Sequence, residues 1–435
     1  MSALDTSYAA LLAGISLYVW RREPPRLLLT PLTIISFVVL YGIGHFIYYA
    51  GTDTVLQVHN SVTISLLLMW FALLLGFEMA RATLPSMTRR AEDVVSRWRS
   101  TALHDSSSTN QLLAMIGVAM AISLVAVFLA LGKPNQIMSF LTIDSTIEKQ
   151  KYRGELAGQG GYLYHMLIAS IAPFLSFLLL LKGMATKRRY LWVAGILLGV
   201  AVFAGKLGTF HKVPWLIYVM QLVVVFQANR SLRLGFGRVL GFSILVLAGG
   251  VFATMIALPE LDTVGIFEWL AYRVFEVNNE VVYQTFYVYP DRISHTWGMN
   301  IGLVHKFFGD GELMSAHSRV ANFFGADGAT FDAFFIGDAW VDFSYGGVFF
   351  MALFVGYVIK SADIVVMSVG KTPLALALLG SSMYGLFQIQ VTSAFTAFLS
   401  GGLLLIPLIA ALSIALVNDL ARSPRLPPML GKRHA

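Results

Sequence analysis

Charged and imidazole side chains in this sequence gather in short stretches at the ends of long apolar runs. Lys206, His211 and Lys212 flank Gly208 and Pro214 between two such runs, forming a compact cationic turn. Ammonium and guanidinium groups make strong charge-assisted hydrogen bonds to phosphate, so this turn suits a diphosphate. Two lysines snorkelling from helix ends to water would give the same pattern. Arg153 stands in a glycine-rich stretch, where backbone could approach a ligand closely. Arg273, Glu276 and Glu280 follow helical spacing and fall on a common face. They read either as solvated intrahelical pairs or as a carboxylate held near a cation, available as a general base. His295 and His317 lie in the same polar segment, with Arg292 and Arg319 as candidate phosphate contacts. Asp338 and Asp342 are four residues apart and share one helix face. Two acids this close to a hydrocarbon span are expected to face a polar cavity or a partner.

Other chemistries are excluded by residue type or spacing. The sequence has no cysteine, which removes disulfides, thiolate metal sites and cysteine nucleophiles. The histidines do not show metal-ligand spacing, and neither a phosphate-binding P-loop nor a dinucleotide fingerprint occurs. A Gly-Xaa-Ser-Xaa-Gly nucleophile elbow is also missing. No cofactor and no metal are expected.

These side chains are held by a membrane bundle. The 435 residues are 57% hydrophobic and 13% charged, about half the charge of a soluble domain. Repeated apolar runs of roughly 18 to 25 residues predict an all-α polytopic membrane protein with about eleven spans. They are placed at 6–20, 27–50, 61–80, 110–132, 161–181, 190–208, 213–228, 238–258, 333–359, 373–392 and 394–417. This divides the chain into spans 1–8 over residues 1–258, a large extramembrane loop at 259–332, and spans 9–11 with a tail over 333–435. The net charge of +7 is read as loop charge rather than a nucleic-acid surface. With the amino terminus outside, 21 of the 31 lysines and arginines fall on the inner side, as the positive-inside rule requires. A structureless loop of the length of 259–332 is improbable, so short helices on the outer face are expected there. Val264, Phe267, Leu270, Val274, Val277 and Val281 form an apolar stripe at helical spacing within it.

Four stretches resemble the Wzy-type O-antigen or oligosaccharide repeat-unit polymerases. The first is Tyr-Arg-Gly-Glu-Leu-Ala-Gly-Gln-Gly-Gly-Tyr-Leu from Tyr152, and the second Gly-Lys-Leu-Gly-Thr-Phe-His-Lys-Val-Pro-Trp-Leu from Gly205. The third is Ala-Tyr-Arg-Val-Phe-Glu from Ala271, opening the long loop. The fourth is Ala-Phe-Phe-Ile-Gly-Asp-Ala-Trp-Val-Asp-Phe-Ser-Tyr-Gly-Gly-Val-Phe from Ala333, where Ser344 and Tyr345 interrupt the family's usual Phe-Gly. The resemblance implies a GT-C-like glycosyltransferase of the bacterial inner membrane that uses undecaprenyl-diphosphate-linked oligosaccharides, with membrane lipid and a chain-length regulator as partners. It implies catalysis by Glu276, His295 and Arg273. Arg153, Lys206, His211, Lys212, Arg292, Arg319 and Asp338 would bind diphosphate or sugar. The O-antigen ligase that transfers glycan to lipid A–core shares this layout, and a lipid-linked oligosaccharide flippase is the alternative from another class.

Overall fold

The computed structural model describes residues 3–22, 26–104, 109–130, 132–143, 145, 148–149, 151–152, 166–207, 212–258, 260–309, 315–325, 334–399, 401–404 and 407–408. Among these there is no strand, and Arg26 and Arg233 form an isolated β-bridge. In chain order the elements begin with α1 (Ala3–Arg22), α2 (Leu29–Ala50), α3 (Leu56–Thr83) and α4 (Pro85–Arg97). They continue with α5 (Thr109–Ala130), α6 (Lys133–Leu141), α7 (Leu167–Thr186), α8 (Arg189–Leu207), α9 (Lys212–Arg230) and α10 (Phe236–Ala257). The polar segment follows as α11 (Thr263–Ala271), a π-turn (Tyr272–Glu276), α12 (Val277–Val288), α13 (Gly302–Phe308) and α14 (Ala316–Phe323). The chain then enters α15 (Phe335–Ser368), α16 (Pro373–Val391) and α17 (Ala394–Phe398).

Six helices among the described residues are long and apolar enough to cross a membrane: α2, α3, α7, Arg189–Lys206 of α8, α15 and α16. Helices also occupy the ranges expected for the first, fourth, seventh and eighth spans, as α1, α5, α9 and α10. Of the range 394–417, α17 covers only the start, and residues 409–417 lie outside the described residues. An apolar run becomes a helix in hydrocarbon because each backbone group must find its partner within the run. Large apolar side chains remain on the outside, including Phe71 of α3, Val200 of α8 and Ile244 of α10. Such a belt is stable only against lipid or a partner.

The centre of the bundle is the crossing of α3 and α15, its most extensive helix contact. Two glycines permit it. A Cβ on Gly76 would sit 2.3 Å from the Leu353 carbonyl oxygen, and one on Gly356 would sit 2.3 Å from that of Leu73. Small residues that bring backbones together are the usual means of helix association in membranes.

At the bundle end that holds Arg26 and Arg233, buried polar groups cap helix termini. The Asp363 carboxylate accepts from Leu29 N at 2.9 Å and Thr30 N at 2.7 Å, satisfying the first amides of α2. Lys371 Nζ donates to the Thr101 carbonyl at 2.8 Å, and Trp98 Nε1 donates to the Ala228 carbonyl at 2.6 Å.

The segment 259–332 contains short helices, as expected, but the expected surface stripe is only partly correct. Val264, Phe267 and Val274 are exposed, whereas α12 buries Val281, Val282, Tyr283 and Phe286. The π-turn between them is the physical reason. Its wider turn shifts the phase of everything downstream, so one face does not run straight from Val264 to Val281. A second π-turn, Val38–Ile43, lies within α2. Asn279 Nδ2 joins the two, donating to the Leu40 and Phe275 carbonyls at 2.9 Å each. Gly44 makes room for this bridge, since a Cβ there would meet Asn279 Nδ2 at 2.7 Å.

Candidate functional site

The site begins with a break in α15. Helical geometry fails at Phe343 and Ser344, where Ser344 has φ 55° and ψ −146°. Positive φ in a residue bearing a side chain is strained by about 1–3 kcal/mol and persists only where the surrounding structure imposes it. Gly347 is required by the break, because a Cβ there would stand 2.2 Å from the Ala339 carbonyl oxygen. Breaking a helix frees carbonyl groups, and a neighbouring turn takes up two of them. Thr296 N donates to Val341 O at 3.0 Å, and Trp297 N donates to Asp342 O at 3.2 Å.

Asp342 is buried and completes this clamp. Its Oδ1 accepts from Gly298 N at 3.0 Å, from Asn300 N at 3.3 Å and from the Thr296 hydroxyl. Its role is to hold the turn 296–300 against the break. Asn300 carries the arrangement onward. Its Nδ2 donates to Asp338 Oδ1 at 2.9 Å, and its Oδ1 accepts from Ala316 N at 2.8 Å. The start of α14 is thereby fixed beside Asp338, with Ser315 as the N-cap of that helix. His317, in the first turn of α14, places Nε2 3.1 Å from Asp338 Oδ1. The other oxygen, Asp338 Oδ2, is buried with no hydrogen-bond partner among the described residues.

These groups form the polar end of a cavity of about 880 Å³. Asn300, Ser315, His317, Asp338 and Asp342 line that end, and Phe335, Phe343, Phe350, Met351, Phe354 and Phe395 line much of the remainder. A largely apolar pocket with a few convergent polar groups is the usual form of a small-molecule site.

The sequence-predicted residues take separate places. Asp338 lies in the cavity. His295 stands beside it, its ring 5.7 Å from that of Trp340. His295 Nδ1 lies 3.2 Å from Val341 O. A carbonyl only accepts, so Nδ1 is the donor in this contact and Nε2 is the nitrogen that points away from it. Arg319, on α14, acts electrostatically on the Tyr289 phenol, which also feels Asp342. Burial raises the Tyr289 pKa, and Arg319 opposes that rise.

Other predicted residues lie elsewhere. The Arg273 guanidinium lies over the Trp269 ring, 5.4 Å from its centroid, rather than against a carboxylate. Glu276 is half-buried at the end of the π-turn. Glu280 accepts from the Tyr272 hydroxyl at 2.7 Å and from Gln284 Nε2 at 3.0 Å. Burial, and then the bond to Glu280, push the Tyr272 phenol up to about 12. Arg292 is exposed and stacks on Tyr287 at 4.1 Å. Lys206 is 1% exposed, with Nζ 3.4 Å from the Ala169 carbonyl and 4.4 Å from the Tyr384 ring centroid. It is therefore enclosed in the bundle. Lys212 is the first residue of α9, and Arg153 and His211 lie outside the described residues.

The four-residue spacing of Asp338 and Asp342 carried a signal in the sequence. The contributions of Asn300, Thr296 and Ser315 carried none, because an amide or hydroxyl in a polar loop has no periodicity to betray it. His317 was one of two equivalent histidines until α14 brought it to Asp338. Among the described residues no group of three or more histidine and acidic side chains could hold a metal ion. No family model, no curated protein and no solved structure matches the chain.

Proposed function

We propose that this chain is a membrane glycosyltransferase that polymerises undecaprenyl-diphosphate-linked oligosaccharide repeat units on the periplasmic face of a bacterial inner membrane. The observation that carries this reading is the Asp338–His317 pair at the polar end of an otherwise apolar cavity, beside a broken helix. The apolar walls suit the first isoprene units of a carrier, and the polar end suits the head group and sugar.

In this reading a hydroxyl of the acceptor repeat unit attacks the anomeric carbon of the donor glycan. The new glycosidic C–O bond forms as the bond to the donor's diphosphate oxygen breaks. The hydroxyl proton passes to the Asp338–His317 pair, and the carrier diphosphate leaves with the electron pair. A diphosphate is an activated leaving group, so positioning and charge stabilisation provide most of the rate. Arg319 is the nearest of the proposed cations to this pair in sequence, two residues from His317 on α14. The base assignment moves from Glu276 to the Asp338–His317 pair, with His295 Nε2 as a second acceptor. Arg273 remains a candidate contact for carrier head groups in this reading, whereas Lys206, enclosed in the bundle, is not assigned to substrate.

The test is a reconstitution. Purified protein given only carrier-linked repeat units is expected to build a ladder of products. Asp338→Asn and His317→Gln are each expected to slow it by about 10²–10⁴-fold, the usual contribution of a positioned acid–base group. Transfer only to a lipid A–core acceptor would instead identify a ligase. Unchanged ladders in both variants would end the site assignment.

A further inference from the structure

A second cluster of ionisable groups lies away from the cavity and takes no part in the reaction above. Asp5 of α1, His45 of α2, His59 and Thr63 of α3, and Tyr283 of α12 are all buried, with exposures from 0% to 3%. His59 Nε2 lies 2.7 Å from Asp5 Oδ1, and His59 Nδ1 lies 2.8 Å from the Tyr283 hydroxyl. That hydroxyl is 3.2 Å from His45 Nδ1, and His45 Nε2 is 3.2 Å from Thr63 Oγ1. The Thr63 hydroxyl donates to the His59 carbonyl at 2.8 Å, closing a circuit.

Each hydroxyl has one proton to donate, and each neutral imidazole has one N–H and one lone pair. The direction of every bond therefore follows from the last. Thr63 donates to His59 O, so His45 Nε2 must donate to Thr63. A neutral His45 then accepts at Nδ1, so Tyr283 donates to it. Tyr283 must in turn accept from His59 Nδ1. The remaining bond, between His59 Nε2 and Asp5 Oδ1, needs one further proton. It sits on His59, giving an imidazolium–carboxylate pair, or on Asp5, giving a carboxylic acid and a neutral ring. A charge on His59 touches Asp5 directly, whereas a charge on His45 would stand apart from it. Removing the proton leaves a consistent circuit only if every donor reverses. Thr63 must then turn to His45 and abandon the His59 carbonyl.

We infer that Asp5, His59, Tyr283, His45 and Thr63 form a buried binding site for one exchangeable proton, whose loss reverses every donor in the circuit and releases the His59 carbonyl from Thr63. Ionisable groups are costly to bury unless they are paired and hydrogen-bonded, as these are. The surrounding titratable groups are aromatic. Tyr49 stacks on His59 with ring centroids 3.5 Å apart, Tyr8 meets His45 edge-on at 5.4 Å, and Tyr48 lies 4.9 Å from Tyr283. Glu276 and Glu280 reach the cluster through their charges on Tyr48.

The cluster is linked to the cavity through α12. Phe286, one turn beyond Tyr283, stacks on Trp340 with centroids 4.2 Å apart. Trp340 Nε1 donates to the Tyr289 carbonyl at 3.0 Å. Trp340 stands between Asp338 and Asp342 on α15. Any effect on catalysis rests on the glycosyltransferase reading; the proton site itself does not.

The experiment uses full-length protein in lipid nanodiscs, labelled with ¹⁵N-histidine and titrated from about pH 5 to 9, across the range in which histidines change charge. His59→Gln identifies the His59 signals among those of the nine histidines. Nδ1 of His59 is expected to be protonated at the acid end and unprotonated once the proton leaves. Tyr283→Phe is expected to move that midpoint by about one pH unit or more, of order the 1.4 kcal/mol that a unit represents. With His45→Gln identifying its signals, the His45 proton is expected to move from Nε2 to Nδ1 over the same pH range, because every donor reverses together. In Tyr283→Phe the two rings should no longer change together. A His59 Nδ1 signal constant across the titration would overturn the proposal. So would a His45 tautomer that stays fixed while His59 changes. Neither readout involves a sugar donor, so this result and the fate of the glycosyltransferase reading are independent.

Discussion

Asp338 and Asp342 show how neighbours decide what a carboxylate does. Asp342 spends its Oδ1 on two backbone amides and a hydroxyl, and so serves to hold a turn. Asp338 is held by Asn300 and His317 at one oxygen and keeps the other without a partner among the described residues. The two acids should therefore respond differently to substitution. Asp338→Asn is expected to lose activity at near wild-type thermal stability. Asp342→Ala should lower the melting temperature first, because removing Oδ1 leaves two backbone N–H groups and a hydroxyl unpaired. Equal loss of stability in the two variants would remove this distinction. Lys371 offers a pH test. Burial holds its pKa below the usual lysine range. The native state then binds fewer protons than the unfolded chain, and stability rises with pH from the lowered value up to about 10.4. Melting curves of wild type and Lys371→Met should diverge in favour of wild type across that window, and a pH-independent difference would remove the claim.

At the scale of elements, the informative features are places where helices depart from regularity. The break at Phe343–Ser344 puts a turn of non-helical backbone inside a long apolar helix. Such backbone is tolerated at membrane depth only where protein or a cavity satisfies it, and here the turn 296–300 does so. Ser344→Gly is expected to relieve the positive φ and to leave the melting temperature unchanged or raise it, since glycine adopts that conformation freely. Gly347→Ala should act in the opposite sense, forcing Ala339 O away and disturbing Asp338 within the same turn. At the α3–α15 crossing, Gly76→Leu is expected to cost about 1–3 kcal/mol or more, because the obstruction is backbone and has no rotamer to yield. Denaturation in a defined detergent measures both. A Gly76→Leu protein as stable as wild type would mean that the two helices do not meet at that glycine.

At the scale of the whole molecule, the orientation of the two bundle ends across the membrane is open to direct test. Asp363, Lys371, Arg26 and Arg233 mark one end, and the segment around Asp291 and Arg292 belongs to the other in the proposed orientation. Because the sequence has no cysteine, single cysteines can report sidedness without a background. Asp291→Cys in intact spheroplasts is expected to react with a membrane-impermeant maleimide, and Arg89→Cys only after lysis. The reverse pattern would invert the proposed topology and place the Asp338 cavity on the cytoplasmic side.

The sequence by itself determined that this is a helical protein with long apolar spans, where most helices begin and end, and that 259–332 folds as short helices. Those properties are local: an apolar run of sufficient length has only one way to satisfy its backbone in hydrocarbon, and charge marks its ends. It also marked Asp338 and Asp342 through helical spacing. The tertiary structure decided which groups meet. Asp5 reaches His59 and Tyr283, Asp363 reaches Leu29, and Asn300 joins Asp338 to α14, across separations that leave no periodic trace in the chain. It also decided where helices yield, at the π-turns Val38–Ile43, Leu167–Ile171 and Tyr272–Glu276 and at the break in α15. A one-dimensional pattern records what each residue prefers, and only packing records which distant partner meets that preference.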